Sequence, residues 1–191
     1  MTRIVLVEPQ HPGNVGAVAR AMVNFAIDDL ALVKGCEIDD DGYARSKSGK
    51  PILENLSRFD TLKEALADCD VAIATSGIKP EGDKRWFRAP KSVKELPDLI
   101  KEREKPALIF GRENYGLYRE ELALCEVTIT IPTNPKFPIL NLSHAVGIVL
   151  YEIYRDGNYK NPKKRKAVSN EEFERLVDRI MNLLEETSYP R

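Results

Sequence analysis

The chain is poor in the residues that most often announce chemistry. Its three cysteines, Cys36, Cys69 and Cys125, are odd in number and scattered, with no CxxC or Cys/His spacing. That argues against a disulfide framework or a zinc site and makes them small buried hydrophobes, so no metal is expected. Only two histidines occur, His11 and His144, and neither has an acidic partner at triad spacing, so both read as structural. No stretch approaches the roughly 20 apolar residues of a membrane span. The N-terminus enters a strand pattern without a charged-then-apolar leader, and a cytoplasmic protein with no membrane partner is expected. Charge of one sign is lacking too. A formal net charge of -1 gives no global attraction to nucleic acid and leaves any such binding to local patches. The GxGxxG fingerprint is absent, which disfavours a conventional dinucleotide site.

What is present is a chain of 191 residues, 42% hydrophobic, enough for one full core and a small appendage. Strand-like apolar runs at Ile4 to Val7, Leu30 to Val33, Val71 to Thr75, Ala107 to Phe110 and Val127 to Ile131 alternate with helical patterns. Those patterns lie near Gly16 to Phe25, Leu62 to Asp68, Val93 to Glu102, Arg119 to Cys125 and Asn141 to Tyr154. The alternation predicts an α/β fold, a mostly parallel sheet with helices on both faces. Residues 37–57 are polar and read as a turn before a short helix. Asp156-Gly157-Asn158 should stop the last helix of a domain spanning 1–157. A basic linker over 158–168 and a C-terminal helix over 169–191 follow, the latter with one apolar stripe through Phe173, Leu176, Val177, Ile180, Leu183 and Leu184. The abrupt end at Tyr189-Pro190-Arg191 suggests that the natural chain continues.

Three segments carry more information. Ile131 to Ala145 contains Pro132, Pro135 and Pro138 and then enters a helix capped by Asn141 or Ser143. Each proline fixes φ and removes a donor, so the segment is a stiff, shaped loop rather than a central strand. Asn14 to Phe25 follows the first strand and the breaker run Pro9 to Gly13, and Ala107 to Leu117 is a strand ending in a glycine-bracketed loop. All three are polar loops after apolar strands, where open parallel sheets bind ligands.

In order and spacing these segments resemble the three motifs of the SPOUT superfamily of RNA methyltransferases, and within it the TrmH/TrmJ group of ribose 2'-O-methyltransferases, archaeal TrmJ-like forms in particular. The residues that carry the resemblance are NxGAxAR at Asn14 to Arg20, IFGRENYGL at Ile109 to Leu117, and IPTNPKFPILNLSHAV at Ile131 to Val146. It covers residues 1 to about 155 and implies a C-terminal trefoil knot, which nothing in periodicity or spacing would show. It also implies S-adenosyl-L-methionine held in knotted loops, carried over here as Thr75, Ser76 and Gly77, Gly111, and Ile131 and Leu140. A homodimer with its active site completed across the subunit interface is implied as well. The activity implied is 2'-O-methylation of RNA, at nucleotide 32 of the tRNA anticodon loop. The same fold acting on ribosomal RNA or another tRNA position, or a non-catalytic RNA-binding homologue, are the alternatives.

The resemblance assigns Arg20 to the ribose hydroxyl and neighbouring phosphate, although read alone it is a helix-surface arginine. Asn14 is a helix cap or an RNA contact, and Asn141 a cap or a member of the catalytic centre. Glu113 is expected to orient Arg20 or to lie near the sulfonium. One departure is Ile139, where many relatives carry serine: either Ser143 compensates from the next turn or the serine is dispensable in this branch, and the second is the reading adopted. For RNA contact the sequence offers Lys84, Arg85 and Arg88 around Trp86, cations for phosphates and an aromatic for stacking, or else a solvated loop with Trp86 folded inward.

Overall fold

A computed structural model describes residues 2–77, 90–158, 175–176 and 178–183. In chain order the elements are β1 (Arg3–Val7), α1 (Pro12–Asn24), β2 (Asp29–Val33), α2 (Asp40–Ser46), α3 (Lys50–Glu54), β3 (Ser57–Phe59) and α4 (Leu62–Ala65). They continue with β4 (Val71–Thr75), β5 (Lys91–Ser92), α5 (Leu96–Ile100), β6 (Pro106–Phe110), α6 (Arg119–Leu122), β7 (Val127–Thr130) and α7 (Leu142–Asn158). Short 3-10 turns lie at Lys47–Gly49 and Val93–Glu95. Among the described residues the strands form one seven-stranded sheet, order β3-β2-β1-β6-β4-β7-β5, and every strand pair is parallel.

The sheet is covered on both sides, which is why its inner strands read as unbroken apolar runs. Ile4 and Leu6 of β1 pack with Val15, Val18 and Met22 of α1 and Val146, Val149 and Leu150 of α7. Val5 and Val7, on the opposite face, pack with Leu62 and Ala65 of α4. Strand order reverses direction at β1, whose neighbours are β2 and β6. The carboxyl ends of β1 and β6 therefore flank the topological switch point, the usual ligand crevice of such sheets.

Several boundaries differ from the sequence expectation. The first helix begins at Pro12 rather than near Gly16: a proline at the first helical position lacks only a donor that the helix would leave unpaired, so the apparent breaker starts the helix. The last helix, α7, runs to Asn158, the final residue of the expected Asp156-Gly157-Asn158 stop. The region 37–57 holds two helices, with Asp39 capping α2 through the Gly42 amide at 3.0 Å. A Cβ built on Gly16 would lie 2.0 Å from the Gly42 carbonyl oxygen, so α1 and α2 meet backbone to backbone. The three cysteines are free and partly buried rather than fully buried, and burial pushes the Cys125 thiol up to about 12.

At the amino ends of β1 and β2, Arg3 is 6% exposed. It donates through Nε to Asp29 at 3.1 Å, while Asp68 pairs with both Arg3 and Lys105. No helix among the described residues is long and apolar enough to cross a membrane. The chain divides into two units, Met1–Asn158 and Tyr159–Arg191. Of the second, residues 175–176 and 178–183 are helical, with Leu176, Ile180 and Leu183 about half exposed. The expected basic stretch at 160–166 lies outside the described residues.

Candidate active site

The loop after β6 sets the geometry. Gly111 lies so close to the returning chain that a Cβ there would sit 2.1 Å from the Gly116 carbonyl carbon. The Arg112 amide donates to the Gly116 carbonyl at 3.1 Å, and the Gly116 amide donates back to Arg112 at 2.9 Å. Gly116 closes the turn at φ +64°, a conformation that favours glycine. In this folded-back loop the Arg112 side chain turns inward and Glu113 turns toward the start of α1.

Glu113 accepts from the Asn14 Nδ2 amide at 3.0 Å, from the Gln10 backbone amide at 3.1 Å and from the His11 backbone amide at 3.4 Å. Burial pushes its carboxyl up, but the Asn14 side chain and the backbone amides of Gln10, Glu113 and His11 outweigh that and hold it below its ordinary value. It is an ionised, oriented carboxylate. The Asn14 oxygen accepts from Asn141 Nδ2 at 3.1 Å. Asn141 in turn accepts from the Ser143 amide at 2.9 Å and from the Ser143 hydroxyl at 2.8 Å. Asn141, not Ser143, is thus the residue that caps α7. One continuous hydrogen-bonded chain joins a residue from each of the three motifs, at the β1/β6 switch point, and fixes the direction of both amides.

Arg20 does not belong to that chain. It is exposed on α1, with no hydrogen bond or ion pair among the described residues. The carboxylate expected to orient it, Glu113, is held instead by Asn14 and two backbone amides.

The residues expected around the cofactor converge from three strand ends. Thr75 Oγ1 donates to the Ile109 carbonyl at 2.9 Å, tying β4 to β6, and the Ser76 amide donates to the Ile129 carbonyl at 3.0 Å, tying it to β7. Gly77 faces the third loop: a Cβ there would lie 3.2 Å from Ile139 Cδ1 and 3.6 Å from the Pro138 carbonyl oxygen. Ile139 is 56% exposed, while Ile131 and Leu140 are half-buried. The set is one of peptide groups, two hydroxyls and apolar side chains, with no cationic side chain among the six expected residues. It fits an adenine ring and a positively charged sulfonium better than it fits a phosphate-bearing cofactor. Lys84, Arg85, Trp86 and Arg88 lie outside the described residues.

Sequence reasoning missed the Gln10 and His11 amides, because backbone donors carry no residue signature. It also missed the pairing of Arg112 with Glu8 and Glu121.

A family model described as "SpoU rRNA Methylase family" matches residues 1–151. The chain is 42% identical over 156 residues to a protein of Methanocaldococcus jannaschii named tRNA (cytidine-2'-O-)-methyltransferase TrmJ, covering 81% of this chain and 67% of that one. It is 41% identical over 180 residues to a protein of the same name from Sulfolobus acidocaldarius, covering 92% and 72%. Among solved structures it is similar to TrmJ from Z. mobilis ZM4, with a TM-score of 0.74 and 32% identity over 99% of this chain and 82% of that one.

Proposed function

Because the chain belongs to the SpoU rRNA methylase family, we propose that it methylates the ribose 2'-oxygen of a tRNA cytidine, at nucleotide 32 of the anticodon loop, and that it does so as a homodimer. It is an S-adenosyl-L-methionine-dependent RNA methyltransferase with the trefoil-knotted α/β fold of that family. The observation that supports the reading best is the Glu113–Asn14–Asn141 chain, which joins three residues from segments far apart in sequence.

Bound S-adenosyl-L-methionine supplies an electrophilic methyl group on a cationic sulfur. The protein has to place a 2'-hydroxyl in line with it and stabilise the oxygen as charge develops. Asn14 and Asn141 have their amide directions fixed by Glu113 and by the cap of α7, so they meet the ribose without reorganising. Arg20 binds the adjoining phosphate with two parallel donors and stabilises the developing alkoxide. A charged guanidinium offers no lone pair, so the proton leaves through phosphate or water rather than to Arg20.

Arg20 touches none of these groups in its own subunit, and a second subunit that brings Arg20 to the site resolves this. The surface beside it supports such pairing. Val23, one turn along α1, is 39% exposed, as are Ile148, Tyr151 and Tyr154 of α7 at 36%, 51% and 39%. Phe25 joins the two helices through edge-on contacts with both tyrosine rings at 6.5 and 5.7 Å. An apolar and aromatic patch of this kind supports the reading that this face meets a second subunit.

The deciding experiment is methyl transfer from labelled S-adenosyl-L-methionine to unmodified tRNA transcripts, with the product mapped by ribose-methylation-sensitive cleavage. A single 2'-O-methyl at nucleotide 32 is expected. Transfer to ribosomal RNA alone would reassign the substrate, and cofactor binding without transfer to any RNA would indicate a non-catalytic homologue.

A further inference from the structure

The residue before Glu113 makes the stronger set of contacts. The Arg112 side chain is 4% exposed. Its Nε donates to Glu8 at 2.9 Å, and Nη1 and Nη2 donate to the two oxygens of Glu121 at 3.0 and 2.9 Å. Nη1 also reaches the Gly116 carbonyl at 3.3 Å, and the guanidinium lies 3.9 Å from the centre of the Tyr118 ring. Every edge and one face are engaged, which fixes a planar group far more tightly than one ion pair would.

Glu8 is unusual in its backbone. It follows β1 with φ +47°, a conformation that side-chain-bearing residues rarely adopt. Such a residue persists only where its surroundings hold it, and Glu8 is held by its own amide, which donates to Val33 at 2.8 Å, and by Arg112. The turn at Glu8 aims the next residues so that the Gln10 and His11 amides reach Glu113. Two successive residues of the β6 loop thus bridge the same gap in opposite senses. Arg112 donates across it to Glu8, and Glu113 accepts across it from residues 10, 11 and 14.

We propose that Arg112 and Glu8 are positioning residues for methyl transfer, a brace across the β1/β6 switch point that sets the depth and direction of Glu113 and, through it, of Asn14 and Asn141. The inference rests on the reading of that chain as the methyl-transfer site. Neither residue touches substrate; both act through Glu113.

The test uses the full chain with Glu8→Asn, since asparagine accepts a positive φ but is too short to reach Arg112, and Glu8→Gln, which keeps an oxygen acceptor at full reach. Glu8→Asn should lower kcat about tenfold with KM for the methyl donor held within about twofold, and Glu8→Gln should recover most of the loss. Exchange of the Gln10 and His11 amides should quicken about tenfold in Glu8→Asn. In a Glu113→Gln background, Glu8→Asn should cost less than about twofold more, because the brace then has nothing to place. Equal losses in both backgrounds, or unchanged amide protection, would overturn the proposal. If Glu113→Gln itself keeps full kcat, the site reading fails, while the exchange measurement still decides whether the brace exists.

Discussion

Asn141 donates its side-chain amide to the side-chain oxygen of Asn14 at 3.1 Å, across 127 residues of sequence. The same Asn141 caps α7 with its oxygen, so its two functions use different atoms and can be separated.

Asn141→Ser keeps an oxygen for the cap but removes the donor to Asn14. We expect kcat to fall by about a hundredfold, the typical cost of one preorganised donor, with little change in Tm. Asn141→Ala should add a loss of about 1 kcal/mol in stability from the missing cap. Methyl-transfer kinetics beside thermal denaturation separates the two effects, and a Tm loss in the serine variant as large as in the alanine variant would contradict the division.

Arg20→Ala should abolish transfer while sparing binding of the methyl donor, measured by calorimetry. Arg20→Lys should not restore it, since a point charge cannot give two parallel donors. Mixing Arg20→Ala with Asn141→Ala subunits should recover about a quarter of wild-type activity, because half of the dimers are mixed and each carries one intact shared site. An inactive mixture would place Arg20 in its own subunit's site.

The amino-terminal ion cluster predicts acid sensitivity. Hydrogen bonding from Lys105, with Arg3 adding to it, holds the Asp68 carboxyl at about 2, against the opposing effect of burial. A depressed folded value contributes stability that is complete above the unfolded value of about 3.9 and is lost as pH falls toward about 2. The wild type should therefore lose Tm more steeply than Asp68→Asn over that window. Parallel acid limbs would show that the pairing adds nothing. High salt should flatten the wild-type curve, since the Asp68 side chain is 55% exposed.

Gly16→Ala places a methyl group 2.0 Å from the Gly42 carbonyl oxygen, an atom of backbone that cannot swing aside. We expect a loss of about 1 to 3 kcal/mol, the usual range for overpacking, read by chemical denaturation. Unchanged stability would mean that α2 is free to move off α1.

The sheet was legible because parallel strands buried on both faces must be apolar throughout, and Ile4 to Val7 or Val71 to Thr75 meet that condition without ambiguity. β3 and β5, three and two residues long, are too short to show any period. The region 37–57 was opaque because its packing depends on glycines meeting helix backbone, a contact with no hydrophobic signature. Asn14, Glu113 and Asn141 stood out through motif spacing, but their order of connection did not. The partner of Glu113 is set by where β1 and β6 end, and the brace between Glu8 and Arg112 spans 104 residues.

The pairing of β1 with β6 also constrains how the chain can be made. β1 finds β2 within about thirty residues, yet its other edge waits for Ala107, the partner of Arg3. At ribosomal speeds of about 5–20 residues per second, the nascent protein carries an open strand edge, apolar from Ile4 to Val7, for some 5 to 20 seconds. The centre of the finished enzyme is thus the most adhesive part of the unfinished one, and truncated chains that stop short of β6 should depend on chaperones to remain in solution.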